Sequence, residues 1–225
     1  MCNLELGKTL GIPDANGGWE GSWGPYVLKQ INDHGYMTVN KEPTGICGGL
    51  TSYPVNSPDT SNPMSVHDFQ ANSYKGFTKQ NWNKILPTAN NFPIDPAEAD
   101  KVLTGVKRAI GLGHRVTFGT LLDTNGSLKY HNGAVGEYNG VENDTWVLTS
   151  QIAQDARNGS INAGHEMIIT GYNDTACATY KEGWFGKEQQ QCGILTLRNS
   201  WGNTGDYYIT YDHFKTLVME AQEIK

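Results

Sequence analysis

The stretch Gly164-His165-Glu166-Met167-Ile168-Ile169-Thr170-Gly171-Tyr172 opens on an imidazole and runs into apolar, β-branched residues. A second stretch, Leu195-Thr196-Leu197-Arg198-Asn199-Ser200-Trp201-Gly202, does the reverse, ending its apolar run on a carboxamide followed by tryptophan. Both runs have the composition of strands. When two strands pair antiparallel, the start of one lies beside the end of the other. The pattern therefore predicts that His165 and Asn199 meet at the rim of a sheet. An amide there fixes the imidazole's orientation and tautomer without adding a carboxylate's charge. Trp201 is positioned to shield that hydrogen bond from water. Taken singly, the two segments have plainer readings: a satisfied surface histidine and a turn with an aromatic anchor.

Outward from this pair, the strand signature recurs at Arg115–Leu122, Gly193–Arg198 and Tyr207–Tyr211, with Asn, Asp and Gly clusters between the runs. A helix is predicted over 95–110. Asp95 caps it, Pro96 occupies its first position and Glu98 completes a capping box. Val102, Leu103, Val106 and Ile110 form its apolar face, and Gly111 and Gly113 stop it. A helix followed by several strands predicts an α+β fold, with a small antiparallel sheet or barrel in the C-terminal half. Nearer the N-terminus, Trp19 to His34 reads as helix, with Trp23, Tyr26, Val27 and Ile31 on one stripe and Gly35 as its stop. From Gly48 to Pro93, repeated Pro, Asn, Ser and Thr predict loops or short strands without helical period.

A chain of 225 residues can bury a substantial core, as one domain or as two small lobes. With 37% hydrophobic and 18% charged residues, it lies far from the composition of disorder. The net charge of −6, with no basic run, argues against a nucleic-acid partner. No apolar stretch approaches the roughly 20 residues that span a bilayer, and the N-terminal residues lack the basic and apolar regions of a signal peptide. None of the four cysteines, Cys2, Cys47, Cys177 and Cys192, is paired at C-x-x-C spacing, so a zinc site is not expected; no other metal or cofactor is expected either. Their even number permits two disulfides and an oxidising compartment, or else four separate buried thiols. Cys177 and Cys192 flank an excursion between two strands and read as a staple across a hairpin. Asn-x-Ser/Thr sequons at Asn125, Asn143, Asn158 and Asn173 suit a glycosylated secreted protein, although Asn-rich loops also produce them by chance.

Taken together, the histidine and asparagine segments resemble the papain-like cysteine peptidases. In that family a Gly-His-Ala-like strand supplies the imidazole, and Asn-Ser-Trp-Gly supplies the residue that orients it. Gly171-Tyr172 and Gly205-Asp206-Tyr207-Tyr208 are similar to the family's right-hand lobe, although Asn203-Thr204 is shorter than the loop many members have there. Upstream, Asn16-Gly17-Gly18-Trp19 resembles the family's Cys-Asn-Gly-Gly segment, with Ala15 where that cysteine would stand. The resemblance implies a two-lobe α+β fold. Residues 1–90 would be the remainder of a helical left lobe with its connecting loops, and 91–225 an antiparallel β-barrel right lobe. It also implies catalytic roles for His165 and Asn199, and substrate-binding roles for Gly17, Gly18, Trp19, Ala163, Gly164 and Trp201. Cys2 and Cys47 match two bridged family positions. Residues 48–92 align least well.

The nucleophile is the missing part. A reactive thiolate belongs at the N-terminus of a long helix, where the dipole and an imidazolium lower its pKa. The family's C-G-S/A-C-W/Y signature is absent, and the alignment puts that helix upstream of Cys2. Cys47 precedes Asn199 by about 150 residues, a spacing the family uses, but Gly48, Gly49 and Pro54 leave no room for a helix after it. The expectation is thus a cysteine-type peptidase acting on peptides or proteins, with its thiol supplied by an upstream segment or a second chain, and inactive by itself. A non-catalytic peptide-binding homologue and an N-terminal-cysteine amidohydrolase using Cys2 are the alternatives. The expected location is a secreted, periplasmic or lysosome-like oxidising compartment.

Overall fold

The structure is a computed structural model that describes residues 6, 10, 23–37, 65–74, 81–89, 93–122, 134–161, 163–182, 186–199 and 207–225. The chain divides into two compact units, Met1–Asn81 and Trp82–Lys225.

In the first unit, α1 (Gly24–His34) carries Pro25 in its first turn and ends at Gly35, whose φ of 92° is open to glycine. The helix starts at Gly24, with Trp23 as its N-cap, rather than at Trp19. Its buried positions are Gly24, Leu28 and Gln30, whereas Tyr26, expected on the apolar stripe, is exposed. Sequence reading missed α2 (Val66–Asn72), which Ser65 caps by accepting the Asp68 N–H. Phe69 is its buried anchor, and the Gln70 amide meets His34 Nδ1 at 3.0 Å.

The second unit is a mixed α+β layer. Its strands are β1 (Trp82–Leu86), β2 (Arg115–Leu122), β3 (Ala134–Gly136), β4 (Thr145–Trp146), β5 (Ala163–Lys181), β6 (Glu188–Arg198), β7 (Tyr207–Thr210) and β8 (Val218–Ile224). They form one sheet in the order β1-β8-β2-β5-β6-β7-β4-β3. Every neighbouring pair is antiparallel except β4 with β7. Among the described residues β1 and β3 do not pair with each other, so the sheet is not closed and the expected barrel is not shown. Strand β1 belongs to this unit because it pairs with β8. The division therefore lies between Asn81 and Trp82, nearer the N-terminus than the sequence-based boundary after residue 90.

Helix α3 (Pro96–Gly111) lies where the sequence placed it. Asp95 Oδ1 accepts the N–H groups of Ala97 and Glu98, satisfying donors that would otherwise lack partners. Ala99, Val102, Leu103, Val106 and Ala109 pack into a core with Val116, Phe118, Met167, Ile169, Leu195, Leu197 and Ile209. Two further helices were not anticipated. Helix α4 (Ser150–Asn158), capped by Thr149, inserts Ile152 and Ala156 beside Leu121 and Leu217. Helix α5 (Tyr211–Leu217), capped by Thr210, adds Phe214 to the main core, tilted against Phe118 with ring centroids 5.6 Å apart.

The hairpin of β5 and β6 carries the disulfide Cys177–Cys192, joining residues that face each other in the ladder. Closing a loop of this length stabilises the fold by about 3 kcal/mol in the chain-entropy account. Next to it the ladder bulges between Asn173 and Cys177, and Gly193 opposite adopts φ 85°. A Cβ on Gly193 would lie 2.2 Å from Cδ2 of Tyr211. Gly193→Ala therefore combines a left-handed backbone with a ring clash. It is expected to destabilise the unit by about 2–4 kcal/mol, read as a lowered midpoint in denaturant melts.

His213 of α5 is fully buried, and neither ring nitrogen meets a hydrogen-bond partner among the described residues. Burial pushes its pKa down to about 3. An unfolded histidine titrates near the ordinary 6.5. Between those two values the unfolded chain binds a proton that the folded chain does not, so this group's contribution is intact above pH 6.5 and falls as pH drops. The slope is about 1.4 kcal/mol per pH unit. His213→Leu should lose less stability than wild type between pH 7 and pH 5 in urea titrations.

Candidate functional site

Strand β5 is hydrogen-bonded on both sides. Its register with β2 sets Ala163 opposite Leu122, Gly164 opposite Leu121 and His165 opposite Thr120. Its register with β6 sets Ile168 opposite Arg198, and Asn199 is the next residue of the chain. The beginning of one strand thus lies at the end of its neighbour, as the sequence pattern predicted. Met167 and Ile169 point into the core and hold this register.

The two polar residues meet. His165 Nε2 lies 3.0 Å from Asn199 Oδ1. An amide oxygen only accepts, so Nε2 carries the hydrogen and Nδ1 is the basic nitrogen of the neutral ring. Asn199 is buried and His165 half-buried. Burial lowers the His165 pKa, and the hydrogen bond the ring donates to Asn199 partly opposes it by favouring the charged ring. At neutral pH the ring is an uncharged base in a fixed orientation. That arrangement suits general-base chemistry, and it lets imidazolium form without a carboxylate partner.

Ala163 and Gly164 are the first two residues of β5, half-buried and exposed respectively. Gly17, Gly18, Trp19 and Trp201 lie outside the described residues, as do Cys2 and Cys47. Cys177 and Cys192 are bonded to each other, which removes both from consideration as nucleophiles. Among the described residues no group of three His, Cys, Asp or Glu side chains is arranged to hold a metal ion. No helix among them is long and apolar enough to cross a membrane.

Thr120 escaped the sequence reading. It is fully buried opposite His165, and its hydroxyl donates to Leu217 O at 3.3 Å and Leu121 O at 3.2 Å. It ties the end of α5 to the strand behind the histidine. Its signal was a polar residue at a position where Val116 and Phe118 set an inward-facing alternation in β2.

No family model matches the chain, and no curated protein matches it.

Replacing Asn199 by Leu removes the group that favours the charged ring. The His165 pKa should fall further, and an NMR pH titration of the ring nitrogens reads it. An unchanged pKa would show that the contact does not orient or charge-stabilise the ring.

Proposed function

We propose that the chain is the histidine- and asparagine-bearing part of a papain-like cysteine peptidase. The carrying observation is the 3.0 Å contact between His165 Nε2 and Asn199 Oδ1, which leaves Nδ1 as the base. The thiol comes from a segment beyond this sequence, contributed upstream or by a second chain. In the assembled site, Nδ1 takes the thiol proton and gives a thiolate–imidazolium pair. The thiolate attacks the scissile carbonyl carbon, and the imidazolium protonates the departing amine. Water, deprotonated by the same nitrogen, then hydrolyses the thioester and releases the acid.

Asn199 keeps the ring in one plane through these proton transfers. Ala163 and Gly164 open the strand beside the histidine, where an extended peptide would run; the resemblance assigns substrate-binding roles to Gly17, Gly18, Trp19 and Trp201 as well. The Cys177–Cys192 disulfide fits an oxidising compartment, which we take to be secreted, periplasmic or lysosome-like.

The test is reconstitution: the chain is produced with an upstream segment bearing a papain-type nucleophile helix and assayed on a fluorogenic peptide. Turnover and labelling by an epoxide thiol-protease inhibitor are expected. His165→Ala should lower kcat by about 10⁴-fold or more. Asn199→Ala should lower it about 10- to 100-fold, the worth of a hydrogen bond to a charged group. A reconstituted protein that binds peptide but neither turns over nor takes the label would overturn the catalytic reading.

A further inference from the structure

Peptidase chemistry leaves the Asn-x-Ser/Thr sequons unused, and the structure separates the three it describes. Asn143 adopts φ 62°, but its sequon hydroxyl, Thr145, is fully buried and donates to Asp144 Oδ1 at 2.7 Å. Asp144 in turn accepts the N–H groups of Tyr138 and Asn139. That sequon is locked into the fold.

The other two are presented outward. Asn158 is the last residue of α4 and is exposed, followed by left-handed Gly159 (φ 67°) and exposed Ser160. Its carboxamide makes no hydrogen bond among the described residues. Asn173 is exposed at the start of the bulge in β5. Its Oδ1 accepts from the N–H and hydroxyl of Thr175 at 3.0 and 3.1 Å, and from the N–H of Ala176 at 3.1 Å. The intervening Asp174 accepts the Tyr211 hydroxyl at 2.7 Å and pairs with Lys107, which fixes the bulge to the body of the unit.

We infer that Asn158 and Asn173 are N-glycosylation sites, each carrying an oligosaccharide linked through N-acetylglucosamine. In the transfer, the side-chain nitrogen attacks the anomeric carbon of a lipid-diphosphate-linked oligosaccharide. A C–N bond forms and the C–O bond to the diphosphate breaks. The lipid diphosphate leaves with the electron pair, and the amide proton passes to a base of the transferase. Two features beyond the motif support the assignment. The disulfide at Cys177 lies two residues past Thr175 and fits an oxidising compartment such as the lumen in which this transfer takes place. Asn173 also lies eight residues along β5 from His165, roughly 25 Å at strand rise, so a glycan there leaves the histidine accessible. The inference does not depend on the peptidase reading.

The chain secreted by eukaryotic cells is digested with peptide-N-glycosidase in heavy-oxygen water and sequenced by mass spectrometry. Conversion of Asn158 and Asn173 to heavy-oxygen-labelled aspartate is expected. Asn158→Gln and Asn173→Gln should each abolish one glycosidase-sensitive step in gel mobility. Unmodified asparagine at either position overturns the assignment there, and a chain whose mobility the glycosidase does not change overturns it entirely.

Discussion

Strand β5 is paired along one edge with β2 and along the other with β6, and its inward residues Met167 and Ile169 are buried on the same face as Phe118 and Leu197. Side chains alternate along a strand, so a slip of one residue would carry this apolar set to the wrong face and turn His165 away from Asn199. The register of one strand therefore sets the core, the rim position of the imidazole and its partner together. Thr120 reinforces the same point from behind, because its hydroxyl joins β2 to the end of α5 beside the histidine. A contact between two polar residues 34 positions apart thus rests mainly on apolar packing that neither residue takes part in.

The C-terminal unit buries ionisable groups in two ways. Glu223 of β8 has no exposed side-chain surface, yet it accepts from His114 Nδ1 at 2.7 Å, Asn83 Nδ2 at 3.0 Å and Arg108 Nη2 at 3.3 Å. These donors come from β1, the end of α3 and the turn before β2, so one carboxylate ties an edge of the sheet to the helix above it. Burial alone would raise its pKa, but the donors hold it below the ordinary range. His213 is buried without such partners among the described residues, and its burial favours the neutral ring. Both arrangements favour the folded state more at neutral than at acid pH, the first by stabilising a charge and the second by excluding one.

Local chemistry made some elements legible. The cap at Asp95, Pro96 and the following glycines define α3 within a residue or so, and a run rich in β-branched and aromatic residues marks β2. The hairpin staple could be read from the way Cys177 and Cys192 flank an excursion between two strands. The last fifteen residues gave no such signal. Val218–Ile224 contains Glu220, Ala221, Gln222 and Glu223, a composition poor in strand formers. It is a strand because β1 and β2 offer it hydrogen bonds on both sides. Helices α4 and α5 are too short for apolar periodicity to show, and their Thr149 and Thr210 caps look like any threonine in a polar stretch.

By itself, the sequence pointed to the two side chains that meet, because in an antiparallel pair a histidine beginning one strand can lie beside an asparagine ending the other. It also determined α3, β2 and the stapled hairpin, whose signals lie within a few neighbouring residues. Only the tertiary structure decided the order of the described strands in the sheet, that a polar C-terminal segment becomes a strand paired on both sides, and which imidazole nitrogen holds the proton. Those outcomes depend on partners distant in the chain: hydrogen-bonding edges, burial, and an amide oxygen 3.0 Å from Nε2.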